Sequence, residues 1–163
     1  CNVRFPPETP VPFFCPGLAE GSPLVRSSGV MSGLVSGGKD RYLNVWDAVT
    51  GDLRFQIERR AVAPGDNFAV SYDSKLVASP TVSSVVNVWD LATGAMVRTL
   101  EGHQGLAIVV NFSPVENKLA SAGYDGVIII WIAETGERFM TLKGHTHCIR
   151  CLAHSKDGKI LAS

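Results

Sequence analysis

The amino-acid sequence predicts an all-β fold in which one small antiparallel sheet is repeated along the chain. The first observation is a period of 42 or 43 residues, which separates the tryptophans Trp46, Trp89 and Trp131. The second is a Thr-Gly pair that follows each tryptophan at the same intervals. The third is a set of short runs rich in β-branched and aromatic residues, with no competing helical spacing of apolar residues. A fixed period of this length indicates one supersecondary unit stacked on copies of itself.

Residues 1–22 are predicted to form an extended, proline-rich leader. Six of the nine prolines lie within residues 1–23. Proline fixes φ and has no backbone N–H to donate, so a helix or a central strand is excluded there. We expect this leader to be a tail, with docking on a surface through Phe13 and Phe14 as the alternative. The chain begins with cysteine rather than methionine, which favours a fragment of a longer protein.

Residues 23–163 are predicted to form the repeat array, in units at about 23–57, 58–100 and 101–142, with an incomplete unit at 143–163. The third unit shows four apolar runs, at 106–112, 118–122, 127–131 and 138–142, separated by turn residues. Asp125-Gly126 between two of these runs is a strong hairpin signal, because glycine tolerates the positive φ of tight turns. One four-stranded sheet is too small to be stable alone. Neighbouring sheets must therefore cover both faces of each sheet, which radial stacking provides.

The composition argues against several classes of partner. With 15 basic and 15 acidic residues, the chain gives no electrostatic reason to expect binding to nucleic acid or to an anionic membrane. The longest apolar run, 127–132, is far shorter than the roughly 20 residues that span a bilayer. Only four cysteines occur, which favours a reducing compartment. We therefore expect a cytoplasmic location, with the nucleus as the alternative.

The order of Gly-His, Leu-Ala-Ser, Asp and Trp-Asp along residues 23–163 resembles the pattern of the WD-repeat β-propeller family. The resemblance implies a propeller fragment with about three four-stranded antiparallel blades and the first strands of a fourth. Segments 73–79, 89–94 and 100–103 look like the C-terminal repeat arrays of fungal NACHT-type signalling and incompatibility proteins. Closed propellers usually have about four to eight blades. Further repeats, or another copy of the chain, are therefore expected to close the ring.

In this family, four side chains of one repeat form a buried hydrogen-bond network. The resemblance assigns these roles to His103, Ser121, Asp125 and Trp131. The chemistry is reasonable, because imidazole bridges a carboxylate and a hydroxyl while the indole N–H needs a buried acceptor. The other units keep parts of the set, namely Ser36, Asp40 and Trp46, then Ser79 and Trp89, then His145 and Ser163.

Two units depart from the pattern at the histidine position. The first unit has Leu18 where the histidine belongs. The second unit has Arg60 at the histidine position and Ser83 at the aspartate position. We therefore expect the second sheet to be held by apolar packing rather than by the network.

Three motifs resemble chemical sites, but their surroundings favour structural roles. His103, Ser121 and Asp125 are the residue types of a hydrolase triad, yet Ser121 lies in a predicted strand without a G-x-S-x-G turn. Residues 33–39 read G-x-x-x-x-G-K, but Asp40 and a strand pattern follow instead of a helix. Cys148 and Cys151 have zinc-ligand spacing. In a strand, however, residues three apart point to opposite faces, so both thiols are expected to act as small, partly buried hydrophobes.

The sequence therefore predicts a chain with no catalytic residue, cofactor site or metal site. The resemblance implies that ligands bind the turns at one rim, with Tyr124 as the strongest candidate because an exposed aromatic gives large contact area. We expect a non-catalytic protein–protein interaction scaffold that binds other proteins or peptides. The alternatives are the ligand-sensing repeat region of a larger NACHT-type signalling NTPase and a non-functional gene fragment. The remaining rim candidates are Lys39, Val82, Gln104, Thr146 and His147.

Overall fold

The computed structural model describes residues 24–27, 33–38, 41–59 and 67–163. These residues form fourteen β-strands and no helix, so the prediction of an all-β fold is confirmed. It follows that no helix among them is long and apolar enough to cross a membrane. The predicted leader at 1–22 and the candidates Lys39, Asp40 and Arg60 lie outside the described residues.

The strands form three four-stranded antiparallel sheets and one two-stranded sheet, and in each sheet the spatial order follows the chain order. The first sheet contains β1 (Leu24–Ser27), β2 (Gly33–Gly37), β3 (Tyr42–Asp47) and β4 (Leu53–Glu58). The second contains β5 (Ala69–Val70), β6 (Leu76–Pro80), β7 (Val85–Asp90) and β8 (Met96–Glu101). The third contains β9 (Ala107–Phe112), β10 (Lys118–Gly123), β11 (Val127–Ile132) and β12 (Arg138–Lys143). The fourth contains β13 (Ala153–His154) and β14 (Leu161–Ala162).

Each tryptophan occupies the same register position in its sheet. Trp131 on β11 lies opposite Leu119 on β10, and the pairing of β11 with β12 is interrupted by a bulge just before this tryptophan. The same bulge precedes Trp46 and Trp89 in the first two sheets. A bulge adds one residue to one strand and increases the local twist. The repeat period therefore corresponds to a repeated local geometry as well as a repeated sequence.

Consecutive sheets pack face to face. One buried cluster joins the first and second sheets and includes Val45, Ile57 and Trp89. A second cluster joins the second and third sheets and includes Leu100 and Trp131. Burying each large apolar side chain contributes about 1.5–3 kcal/mol, which a single isolated sheet does not gain. The cores therefore lie between the sheets, as stacking of repeated units requires.

The turn after β5 contains a serine in a conformation that favours glycine. Ser74 has φ of 61° and is buried, and its hydroxyl has no hydrogen-bond partner among the described residues. The equivalent turn of the fourth unit has Gly158 at φ of 70°. Since a left-handed non-glycine residue costs roughly 1–2 kcal/mol, we expect Ser74→Gly to raise the free energy of unfolding by about 1 kcal/mol. Urea denaturation at equilibrium measures the change.

Ser84→Gly is the matched control, because Ser84 lies in another turn of the same unit and its φ is not positive. At Ser84, glycine relieves no backbone strain and only increases the conformational entropy of the unfolded chain, so we expect no stabilisation. Equal effects of the two substitutions would show that the backbone of Ser74 is not strained.

Candidate functional site

The four network residues of the third unit come together in the structure. His103 Nδ1 lies 2.8 Å from Asp125 Oδ2, and His103 Nε2 lies 2.8 Å from Ser121 Oγ. Trp131 Nε1 donates to the same hydroxyl oxygen at 2.7 Å. All partners are satisfied when Nδ1 donates to the carboxylate and Nε2 accepts the hydroxyl proton. The network thus ties the segment before β9 to strands β10 and β11.

These residues hold structure rather than present a nucleophile. Ser121 is fully buried at 0% exposure, and His103 is 4% exposed. A serine nucleophile must reach a substrate carbonyl, whereas the Ser121 hydroxyl is enclosed and already bonded to an indole and an imidazole. The side chains are therefore of the types found in a hydrolase triad, but the serine hydroxyl is not accessible to a substrate.

Asp125 connects the turn between β10 and β11 to the segment before β9. Its carboxylate accepts hydrogen bonds from the backbone N–H groups of Gln104 at 3.0 Å and Val127 at 3.3 Å. Burial acts to raise the pKa of Asp125, but the hydrogen bond from His103 and those from these two N–H groups outweigh it. The pKa therefore lies below its usual value, and the ionised carboxylate is the form that the fold stabilises.

We expect the Asp125 network to weaken at low pH. Because the native pKa of Asp125 is lowered, its contribution to stability is fully present above the unfolded-state pKa near 4 and is lost as pH falls through the native value. Asp125→Asn should therefore reduce the loss of unfolding free energy between pH 5 and pH 3, as measured by urea denaturation. Asp52→Asn, at an exposed turn position, is the control and should leave that loss unchanged. An undiminished loss in Asp125→Asn would contradict this role.

The first and fourth units show smaller parts of the same network. Trp46 Nε1 donates to Ser36 Oγ at 2.8 Å. His145 Nε2 lies 2.6 Å from Ser163 Oγ, and both residues are exposed. In the third unit the serine hydroxyl is bonded to both a histidine and a tryptophan. Among the described residues of the first and fourth units, it is bonded to the tryptophan and to the histidine, respectively.

The second unit corrects the expectation that Ser79 and Trp89 keep part of the network. Within the described residues, no hydrogen bond joins Trp89 to Ser79, although Trp89 is only 5% exposed. Ser79 Oγ instead donates to the carbonyl of Asn67 at 3.1 Å and lies 3.5 Å from the guanidinium of Arg59. That guanidinium also donates to the carbonyl of Gly38 at 3.0 Å.

The second unit thus also has polar contacts that the sequence analysis did not foresee. Arg59, 1% exposed, lies one residue before Arg60, and its long side chain reaches the serine that a histidine contacts in the third unit. In the second unit, Ser83 stands at the aspartate position. Thr81 Oγ1 stabilises this turn, since it lies 2.7 Å from Ser83 Oγ and donates to the carbonyl of Val85. Sequence reasoning missed Arg59 and Thr81 because neither stands at a family position.

The rim candidates of the third and fourth units gather around one turn. Asp125 binds the N–H of Gln104, and a Cβ added to Gly126 would lie 3.0 Å from the carbonyl oxygen of His145 and 3.2 Å from that of His147. Tyr124 stands on this turn and is 55% exposed. Val82, on the equivalent turn of the second unit, is 54% exposed. Gln104, Thr146 and His147 are exposed, while Lys39 lies outside the described residues.

The two remaining sequence motifs have ordinary structural surroundings. Residues 33–37 of the G-x-x-x-x-G-K motif form β2 and pair with β3 instead of forming a phosphate-binding loop. Cys148 and Cys151 precede β13 and lie outside the described strands, and Cys148 is partly buried as expected, whereas Cys151 is exposed, so the expectation is wrong for Cys151 and for the strand. Among the described residues, no group of three or more His, Cys, Asp or Glu side chains could hold a metal.

A cleft of roughly 260 Å³ between the second and third sheets was not foreseen from the sequence. Its polar groups largely bond to one another. Asn117 donates to Asp73 at 3.1 Å and to Glu134 at 3.0 Å, and Arg98 donates to the carbonyl of Glu134 at 2.9 Å. The sequence signal for this contact is the 44-residue spacing of Asp73 and Asn117, which places them on neighbouring units. These contacts tie the two sheets together.

Comparison with known proteins agrees with this geometry. Residues 94–131 and 136–163 match the family model described as WD40, WD domain, G-beta repeat. These two segments carry WD40 repeats. The solved structures described as U3-55K and as the RRP9 WD40 repeats resemble it with a TM-score of 0.63 each at 23% identity, over 75% of this chain and 38% and 37% of theirs. This likeness shows the fold, and the sheets described above are blades of a WD-repeat propeller.

Curated proteins also match parts of this chain. Protein groucho of Drosophila melanogaster is 31% identical over 58% of this chain, and autophagy-related protein 16 of Arabidopsis thaliana is 34% identical over 58%. Apoptotic protease-activating factor 1 of Rattus norvegicus is 33% identical over 80% of this chain. The matches span 13%, 19% and 10% of these relatives, respectively, so the chain corresponds to a small part of each.

Proposed function

We propose that this chain is a non-catalytic protein–protein interaction scaffold that binds other proteins or peptides at the rim of its blades. The observation that carries the proposal is the position of Tyr124. Tyr124 is 55% exposed, while the next residue, Asp125, is held by its hydrogen bond with His103. An exposed aromatic on a turn that is already ordered offers a large contact area at a small entropic cost.

The surroundings of Tyr124 support the same role. Gln104 and His147 reach the same turn from the segments before the third and fourth blades, so three loops contribute to one surface. Val82 places a second exposed apolar group on the neighbouring blade. The curated relatives are named as factors of autophagy and of apoptotic protease activation, rather than as enzymes, which favours a binding role.

The test is affinity capture with the 163-residue chain as bait, followed by a binding titration with each captured partner. Tyr124→Ser is expected to weaken binding of the partner at least roughly tenfold, which corresponds to about 1.4 kcal/mol. Tyr72→Ser is the matched control, because Tyr72 is 47% exposed on a turn between the first and second strands of a blade. A partner bound equally by both variants, or the absence of any saturable partner, would contradict the proposal.

A second candidate function is the ligand-sensing repeat region of a larger NACHT-type signalling NTPase. The observation that favours it is that the matched region makes up only 10% of apoptotic protease-activating factor 1 and 19% of autophagy-related protein 16. Repeats of this kind therefore occur inside much longer proteins. A P-loop and a helical domain in the reading frame upstream of the repeats would support this candidate. Their absence would favour the interaction scaffold instead.

The third candidate is a non-functional gene fragment. The second unit favours it, because Trp89 lacks the serine hydrogen bond that Trp46 and Trp131 make. A soluble chain with one cooperative thermal transition would count against this candidate, since a decayed array is not expected to unfold as a unit.

A further inference from the structure

The turn at Tyr124 is joined by backbone hydrogen bonds to the segments that precede the third and fourth sheets. Tyr124 N–H donates to the carbonyl of Leu106 at 2.9 Å, and Ile149 N–H donates to the carbonyl of Gly123 at 2.9 Å. Ile149 is buried against the third blade, whereas the next residue, Arg150, is exposed. Tyr124 and Arg150 therefore each follow one partner of the bond between Ile149 and Gly123, and both residues are open to solvent.

The charges of this surface are unbalanced. We call the three loops that meet here the Tyr124 surface, which comprises residues 102–106, 124–126 and 144–150. Together the loops contain one carboxylate, Asp125, and one lysine or arginine, Arg150. Asp125 is engaged within the protein, because a histidine and two backbone N–H groups bind its carboxylate. The flanking residues Glu101 and Lys143 carry opposite charges. The loops therefore leave Arg150 as their unmatched charge.

The unused hydrogen-bonding groups of the Tyr124 surface include several donors. Among the described residues, the guanidinium of Arg150 makes no hydrogen bond or ion pair, and the hydroxyl of Tyr124 makes no hydrogen bond. Thr146 Oγ1 lies 3.0 Å from His147 Nδ1, and when this hydroxyl donates, His147 Nε2 carries the proton and is a further donor. Since a guanidinium has five N–H donors and no acceptor, this surface lacks the acceptors that a partner would supply.

We propose that the Tyr124 surface binds an acidic peptide segment, which rests on the scaffold function proposed above and names the class of its partner. A glutamate or aspartate carboxylate of the peptide pairs with Arg150, and a neighbouring apolar side chain packs on Tyr124. The planar guanidinium matches a carboxylate with two parallel N–H bonds, and the tyrosine ring adds contact area. A phosphate backbone is bound by several basic residues, whereas these loops offer one. The surface therefore fits a peptide carboxylate better than a nucleic acid.

The probes are two blocked synthetic peptides, acetyl-Leu-Glu-Leu-Glu-Leu-amide and its uncharged counterpart acetyl-Leu-Gln-Leu-Gln-Leu-amide. Each peptide is titrated into the ¹⁵N-labelled 163-residue chain, and the backbone amide shifts are followed by nuclear magnetic resonance. We expect the glutamate peptide to bind saturably, to shift the amides of residues 122–126 and 146–151, and to bind at least about tenfold more tightly than the glutamine peptide. High salt should weaken its binding, because exposed charges are screened.

Arg150→Glu is expected to weaken binding of the glutamate peptide at least about tenfold, because attraction is replaced by repulsion. Arg150→Gln should weaken it less, since it removes the attraction without adding a like charge. Lys156→Glu is the matched control, because Lys156 is exposed in the turn at the other end of β13 and the change in charge is the same. This variant should bind the peptide as the unmodified chain does.

Equal binding of the two peptides, absence of saturable binding by the glutamate peptide, or equal losses in Arg150→Glu and Lys156→Glu would overturn the proposal. Saturable binding of a single-stranded oligonucleotide at these loops in place of the glutamate peptide would also overturn it. A captured protein partner that depends on Tyr124 but binds Arg150→Glu normally would overturn the acidic peptide while leaving the interaction scaffold in place.

Discussion

Replacing Trp131 by alanine is expected to lower the free energy of unfolding by about 3–5 kcal/mol, the usual cost of removing a large buried aromatic. Trp131 is 2% exposed and lies in the core between the second and third blades. The substitution leaves a cavity and removes the indole N–H that donates to Ser121. Equilibrium urea denaturation of the two proteins, followed by far-UV circular dichroism, measures the difference.

Trp46→Ala provides the comparison, because Trp46 also donates to a serine but is only partly buried. We expect its loss to be smaller, by at least about 1 kcal/mol, since less apolar surface is buried there. Trp131→Phe should fall between the two alanine variants, because it keeps most of the ring and loses the donor. Equal losses for Trp46→Ala and Trp131→Ala would contradict the assignment of Trp131 to an interface between blades.

Gly123→Ala is expected to prevent folding or to destabilise the chain by more than about 3 kcal/mol, because the clash is with backbone. A Cβ at Gly123 would overlap the carbonyl oxygen of Leu106 and lie 2.8 Å from Ala107 Cα. The pairing of β10 with β9 is already irregular at this point, with a register shift between Ala122 and Gly123. Soluble yield and urea denaturation report the effect.

Gly144→Ala is the matched control for this substitution. A Cβ at Gly144 would have no heavy atom within 4 Å, and its φ is not positive. We therefore expect a change within about 0.5 kcal/mol, as at most surface positions. If both variants were equally stable, the close packing of β10 against the segment at Leu106 would be wrong.

The sequence was sufficient to predict the strands of the third blade. The expected strand at 127–131 is observed as Val127–Ile132, and the expected strand at 138–142 as Arg138–Lys143. Apolar runs bounded by glycine, proline and aspartate turns specify such strands locally, so no knowledge of neighbouring blades was needed. The four network residues were predicted through the resemblance to WD repeats, and two of them, Ser121 and Trp131, lie on the paired strands β10 and β11.

The second blade shows where local reasoning fails. Counting along the repeat gave Arg60 at the histidine position, but the neighbouring Arg59 extends its guanidinium to Ser79 and to the carbonyl of Gly38 on the first blade. Arg59 is enclosed by the packing of two blades, which the sequence of one repeat does not show.

The central claim is that successive blades stack face to face, and nuclear Overhauser contacts between blades test it most directly. A Cβ at Gly136 would lie 3.4 Å from Leu100 Cδ2, and one at Gly94 would lie 3.2 Å from the ring of Phe55. We therefore expect cross-peaks from the α-protons of Gly136 to the Leu100 methyl groups and from those of Gly94 to the Phe55 ring. Cross-strand contacts within each blade, without either of these cross-peaks, would contradict the stacking.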